Sequence, residues 1–232
     1  MSKKMMLLAL AAVSAAMFAL PAVASAGVWH AEPSTAATAF TTNTTGHGNT
    51  LLVTPNRTTT CAGNATEPSS TGTGQFDIGG TTGKISLTFY GCTSAGTACT
   101  TPGQASGVIV TSPNLVFHNI LLEAGPPKIP GVKITGVGAS TQLAHYTCGF
   151  GLVTVNVTGT VVGEVEQACS TKGKVFSLKF EAPGGIQKWM QETTTGTNTD
   201  LTATVNGTAE TGGQTGTGTV NLGANERTIT CT

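Results

Sequence analysis

A chain of 232 residues with 11 basic and 11 acidic side chains carries no net charge, and only 9% of it is charged, against about 25% in an ordinary globular protein. No basic cluster stands ready for nucleic acid, and no charged partner is attracted over long range. The 39% apolar content falls in short alternating runs, which excludes a wholly disordered chain.

Residues 1–26 read as a secretory signal peptide: Lys3 and Lys4 open it, an apolar stretch runs from Met5 to Leu20, Pro21 breaks it, and Ala24-Ser25-Ala26 precedes cleavage before Gly27. Loss of Lys3 and Lys4 leaves 9 basic against 11 acidic residues, a balance near −2. The mature chain is therefore expected to be secreted and extracellular, in a compartment where cysteines pair. It holds no run of about 18 apolar residues, so no membrane span is expected. Cys61 is too far from the cleavage site for acylation at a terminal cysteine, and Arg227 to Thr232 carries no hydrophobic tail. Release, or noncovalent retention at the envelope, is the expectation.

Residues 27–50, rich in Thr, Ala, Asn and Gly, read as a flexible arm. From 51 to 232 a single antiparallel β domain is expected. Lys84 to Tyr90 alternates strictly, with Ile85, Leu87 and Phe89 on one face and Tyr90 on the other. Further runs of the same kind cover 107–111, 115–123, 132–135, 142–148, 152–158, 160–166, 174–181, 186–192, 201–205, 217–222 and 227–231. Pro, Gly and Asn punctuate them, as at Gly125-Pro126-Pro127 and Asn206-Gly207. No stretch sustains a 3.6-residue period for three turns, so the fold class is all-β, a β-sandwich or a β-barrel.

Six cysteines, Cys61, Cys92, Cys99, Cys148, Cys169 and Cys231, allow 15 connectivities. Local pairing is expected: Cys92 with Cys99 around a small loop, Cys148 with Cys169 around a hairpin turning at Gly159, and Cys61 with Cys231. Neither a redox Cys-x-x-Cys nor a zinc-ribbon spacing is present.

Few side chains could supply catalytic chemistry. Glu164 and Glu166 share one strand face, whereas a glycosidase draws its two carboxylates from different elements across a cleft; a solvated face is expected. His118 sits in register with Val116, Ile120 and Leu122, and His145 with Leu143, as core histidines do. His30 and His47 fall in the arm. No metal-ligand spacing, Gly-x-Ser-x-Gly elbow, Walker loop or dinucleotide fingerprint occurs. No catalytic residue, metal or cofactor is assigned, and the chain is expected not to be an enzyme.

A binding role fits better. Exposed aromatic rings stack on sugars, and Tyr90 and Trp189 are the candidates, Tyr90 by its position opposite Phe89 and Trp189 with a core position as its alternative. Trp29 and Tyr146 complete the set considered. Asn-x-Thr triplets begin at Asn43, Asn56, Asn64, Asn156 and Asn206.

The segments Phe89-Tyr90-Gly91-Cys92-Thr93, Ala98-Cys99-Thr100-Thr101-Pro102-Gly103 and Gly107-Val108-Ile109-Val110-Thr111, with Tyr146-Thr147-Cys148-Gly149 and Val155-Asn156-Val157-Thr158-Gly159 after them, resemble a pattern in secreted Thr/Gly-rich proteins of soil actinobacteria. That family has no assigned activity, so the resemblance implies an exported, disulfide-bearing β protein and transfers no functional residue. The reading is a noncatalytic exported protein, a surface or extracellular binding or structural module whose partner is an envelope or extracellular polysaccharide. The alternatives are a secreted hydrolase with an unrecognised carboxylate site and a barrel carrying a small apolar ligand.

Overall fold

Alternation with a period of two places one face of each strand in a core and leaves the other to water, and a sheet of such strands must close or stack to hide its apolar face. This chain does both. The structure, a computed structural model, describes residues 27–66, 74–123, 126–138, 140–189 and 201–232; the expected signal peptide lies outside them.

Eight strands close a barrel in chain order: Thr38–Val53, Gly74–Phe76, Thr82–Ile85, Leu115–Glu123, Ile129–Thr135, Thr160–Val165, Val175–Phe180 and Gly216–Asn221, the last pairing back to the first. Every neighbouring pair is antiparallel. Connections must therefore alternate between the two ends of the barrel. At one end, each connection that leaves the barrel forms further strands: Thr58–Thr66, then Leu87–Tyr90 through Ile109–Val110, then Gln142–Cys148 with Val153–Thr158, then Thr202–Val205 with Thr208–Thr211. These build two layers above the barrel. One is Thr58–Thr66 with Leu87–Tyr90 and Ile109–Val110. The other runs Thr97–Thr100, Gln142–Cys148, Val153–Thr158, Thr202–Val205, Thr208–Thr211. The opposite end is closed by a three-stranded cap of Trp29–Glu32, Arg227–Cys231 and Lys172–Gly173.

Aromatic rings fill the barrel. Phe76 meets Phe117 edge-on at 5.0 Å and lies tilted against Phe40 at 5.1 Å, and Trp29 reaches in from the cap to lie 6.4 Å from Phe76. Edge-to-face packing of this kind adds about 0.5–1.5 kcal/mol per pair beyond area burial. The rings need glycines opposite them: a Cβ at Gly74 would overlap Phe40, and one at Gly83 would overlap Phe117. The Trp29 indole N–H donates to the Gly131 carbonyl at 2.7 Å. Buried Asn119 donates from its amide to Gly80 at 2.8 Å, and buried Arg227 donates from the cap to Thr38.

Several expectations meet corrections here. Residues 27–50 are not an arm: Trp29–Glu32 pairs with the C-terminal strand, and Thr38–Val53 belongs to the barrel. Threonine is a good strand former, so a hydroxyl-rich segment with Trp29 and Phe40 facing inward resembles a loop only in composition. The run Lys84–Tyr90 divides at Ser86. Its first half stays in the barrel and its second joins the upper layers. At the crossing the ladder is replaced by side chains: Asn114 N–H donates to Ser86 Oγ and Leu87 N–H to Thr111 Oγ1, both at 2.9 Å. Ile186–Glu192 is not a strand as far as Trp189, and residues 190–192 lie outside the description.

All six cysteines pair, but none as the local reading expects. The bonds are Cys61–Cys92, Cys99–Cys148 and Cys169–Cys231. Cys92 and Cys99 do face one another across a hairpin, yet each bonds the strand on its other side. Cys148 and Cys169 stay apart because Val153–Thr158 and Thr160–Val165 do not form a hairpin. Gly159, with φ 101°, turns the chain out of the upper sheet and into the barrel wall, and Cys169 ends beside the C-terminal strand.

Tyr146 is fully buried between the upper layers and donates its hydroxyl to Thr59 Oγ1 at 3.1 Å. Burial raises its phenol pKa to about 12, over the opposing effects of that bond and of Arg57. The raised value stabilises the fold fully below pH about 10, and this contribution of order 2–3 kcal/mol is lost as the pH climbs toward 12. Denaturant titrations across that range are expected to show falling stability, and Tyr146→Phe to flatten part of the fall. The double variant Cys99→Ser/Cys148→Ser, whose bond spans 49 residues, is expected to lose about 4 kcal/mol on the chain-entropy estimate, read by urea unfolding.

Candidate functional site

The outer face of the upper five-stranded sheet is polar by alternation. Tyr146, Val155, Val157 and Ala203 are buried inside the sandwich, so their neighbours point outward: Thr147 and His145 on one strand, Thr154 and Asn156 on the next, Thr204 on the third. The register places Thr100, Thr147 and Thr154 in one row and His145, Asn156 and Thr204 in the next. Gln142 Nε2 donates to Asn156 Oδ1 at 2.6 Å, fixing the amide so that its N–H groups face away from that bond.

At the end of this sheet away from the barrel, the loop Gly149-Phe150-Gly151-Leu152 projects. Gly149, Phe150 and Gly151 have φ of 61°, 58° and 90°. Two of the three are glycines, for which this is free; for phenylalanine the left-handed region costs about 1 kcal/mol or more. The Phe150 ring gains no burial in return, being 109% exposed, and Leu152 is 82% exposed. The loop is nonetheless held firmly. The Cys99–Cys148 bond precedes it, Gly149 N–H donates to the Ala98 carbonyl at 3.1 Å, and Leu152 N–H donates to the Gly149 carbonyl at 3.3 Å. A strained, exposed aromatic on an anchored loop is the pattern in which strain is kept for function.

Phe150 forms one side of an open groove of about 640 Å³, with Thr97, Thr100, Gln104, Ser106 and Thr147 among the residues around it. Hydroxyls and an amide there both donate and accept. No charged residue occurs between Ile85 and Leu122, or between Ile134 and Gly163, so among the described residues the groove lining holds no side chain to neutralise a phosphate or a carboxylate. Three apolar pockets among the described residues are far smaller, about 40–50 Å³ each: one lies among Phe40, Phe76 and Phe117, the others around Ile134, Leu178 and Leu143. A drug-sized ligand occupies a site of roughly 300 Å³ or more.

The residues expected from the sequence fall elsewhere. Tyr90 is 41% exposed on the other upper layer, opposite Gly63. Trp189 is neither in a strand nor fully buried: the Lys188 ammonium sits 5.0 Å over its ring, which covers one stacking face, and its buried Nε1 has no partner among the described residues. Neither side chain lines the groove. Glu164 and Glu166 stand on the outer barrel wall, where Glu164 lies opposite Lys179. The Lys179 ammonium is held above its ordinary value chiefly by Glu181, with smaller contributions from Glu164 and Glu166. His118 is exposed, because Phe117, Asn119 and Leu121 take the inward positions; its partial burial and Lys133 opposite it lower its pKa. His30 lies in the cap with Nδ1 3.1 Å from the Gly79 carbonyl. Among the described residues no group of three His, Cys, Asp or Glu side chains converges as a metal site.

No family model, curated protein or solved structure matches this chain.

Phe150 escaped the sequence reading because one ring between two glycines makes no periodic pattern. Its signal was the Gly-Phe-Gly-Leu tip itself, together with the long charge-free runs on either side. Phe150→Gly is expected to stabilise the protein by about 1 kcal/mol, since the strain goes and no packing is lost, measured as a higher urea midpoint at unchanged slope.

Proposed function

We propose that this chain is an exported, noncatalytic binding module that takes neutral carbohydrate of a cell envelope or extracellular matrix in the groove beside Phe150. The observation that carries this reading is a strained, fully exposed ring set beside a charge-free groove of hydroxyl and amide groups. A pyranose offers an apolar C–H face and a rim of hydroxyls; the ring meets the first, and the groove can hydrogen-bond the second directly or through water. An anionic polymer would find no cation among the described residues of the groove. Three disulfides are compatible with an oxidising, extracellular setting, and no helix among the described residues is long and apolar enough to cross a membrane. The hydrolase alternative has less support, because the carboxylates it invokes lie on the barrel wall beside lysine and away from the groove.

The test is co-sedimentation of the oxidised protein with insoluble cellulose, chitin and peptidoglycan, with soluble sugars assayed in the same tubes. Saturable retention on a neutral polymer is expected, insensitive to molar salt and without product. Phe150→Gly should lose most of that retention while staying folded, and Glu164→Gln/Glu166→Gln should keep it. Release of soluble sugar that disappears in the double glutamine variant would establish the hydrolase instead, and retention on none of the polymers would end the carbohydrate reading.

A further inference from the structure

The groove does not end at Phe150. Thr100 and Thr147 line it and also belong to the first outward row, which continues to Thr154 on the neighbouring strand; the second row, His145 through Asn156 to Thr204, runs beside it. Strands lie about 4.8 Å apart, so the four strands from Thr97–Thr100 to Thr202–Val205 span about 14 Å, and residues two apart along a strand separate the rows by about 6.6 Å. Both rows are free of charged residues, with His145 the one titratable group in them. The face is a ladder of donors and acceptors repeating at the strand spacing, close to the advance of one pyranose in an extended chain.

We propose that the ligand is a single extended, neutral, β-linked polysaccharide chain lying across these strands, one sugar per strand and about four in all, with Phe150 against the sugar in the groove and Asn156 and Thr204 serving the sugars beyond it. This rests on the carbohydrate reading and adds to it the length, direction and neutrality of the ligand. Phe150 supplies an apolar contact common to every ligand length. The amide N–H groups of Asn156 and the hydroxyl of Thr204 act only on a chain long enough to reach them.

Titration calorimetry with β-1,4-linked oligomers of glucose and of N-acetylglucosamine, two to six residues long, tests this. Affinity is expected to climb to about the tetramer and then level. Asn156→Ala and Thr204→Ala should each weaken the tetramer about 5-fold, the effect of one lost hydrogen bond, and leave the dimer unchanged, which also certifies their folding. Phe150→Gly should weaken dimer and tetramer alike. Equal affinity for dimer and hexamer, or wild-type tetramer binding by both face variants, overturns the extended-chain inference. So does retention on insoluble polymer with no oligomer bound, and in each of these cases the carbohydrate reading survives. Failure of every oligomer and every polymer overturns both.

Discussion

Closure of the eight-stranded ladder is the constraint on which the rest of the molecule depends. Once neighbouring strands are antiparallel and the last pairs with the first, up and down must alternate around the ring. Alternate connections then fall at the same end. The chain uses one end for every long excursion and the other for short turns and a three-stranded cap. Parity thus gathers the long excursions at one mouth, where they fold as a two-layer sandwich that covers the barrel interior.

The interior shows how a chain with few aromatic residues fills a barrel. Phe40, Phe76 and Phe117 come from three different strands and Trp29 from the cap, and glycines stand where the rings need room. Large rings opposite missing side chains give dense packing without long aliphatic chains. The outer surfaces are then left to threonine, whose branched Cβ suits a strand and whose hydroxyl faces water. This is how so little charge suffices for a folded surface. It also leaves the far sheet chemically uniform, a property that a ligand rich in hydroxyl groups can use and a charged one cannot.

The disulfides divide their work between the two ends. Cys169–Cys231 ties the cap to the turn before the seventh barrel strand, while Cys61–Cys92 and Cys99–Cys148 each join neighbouring strands of the upper layers. The last of these sits directly beneath the Phe150 loop. Its position lets a bulky residue be held in a left-handed conformation with no packing of its own, because the backbone on one side of it cannot drift.

Much of the fold was legible in the sequence, since period-two alternation and Gly, Pro and Asn punctuation are local and survive in any β architecture. Leu115–Glu123, Gln142–Cys148, Thr160–Val165 and Arg227–Cys231 lie within a residue of where the pattern places them. What local pattern could not carry was the sheet to which each strand belongs. Lys84–Tyr90 and the stretch across Gly159 read as continuous units, and only tertiary structure sends their halves to different layers. Cysteine pairing failed for the same reason, as a disulfide joins strands that are neighbours in space and nearness in sequence says little about that. The parity of the cysteines, the low charge and the strand-forming runs belong to the sequence alone. Which ring stands beside the groove belongs to the fold: Tyr90, Trp189 and Phe150 are alike as residues, and placement on the other layer, a covering lysine and a strained loop, all set by distant parts of the chain, decide among them.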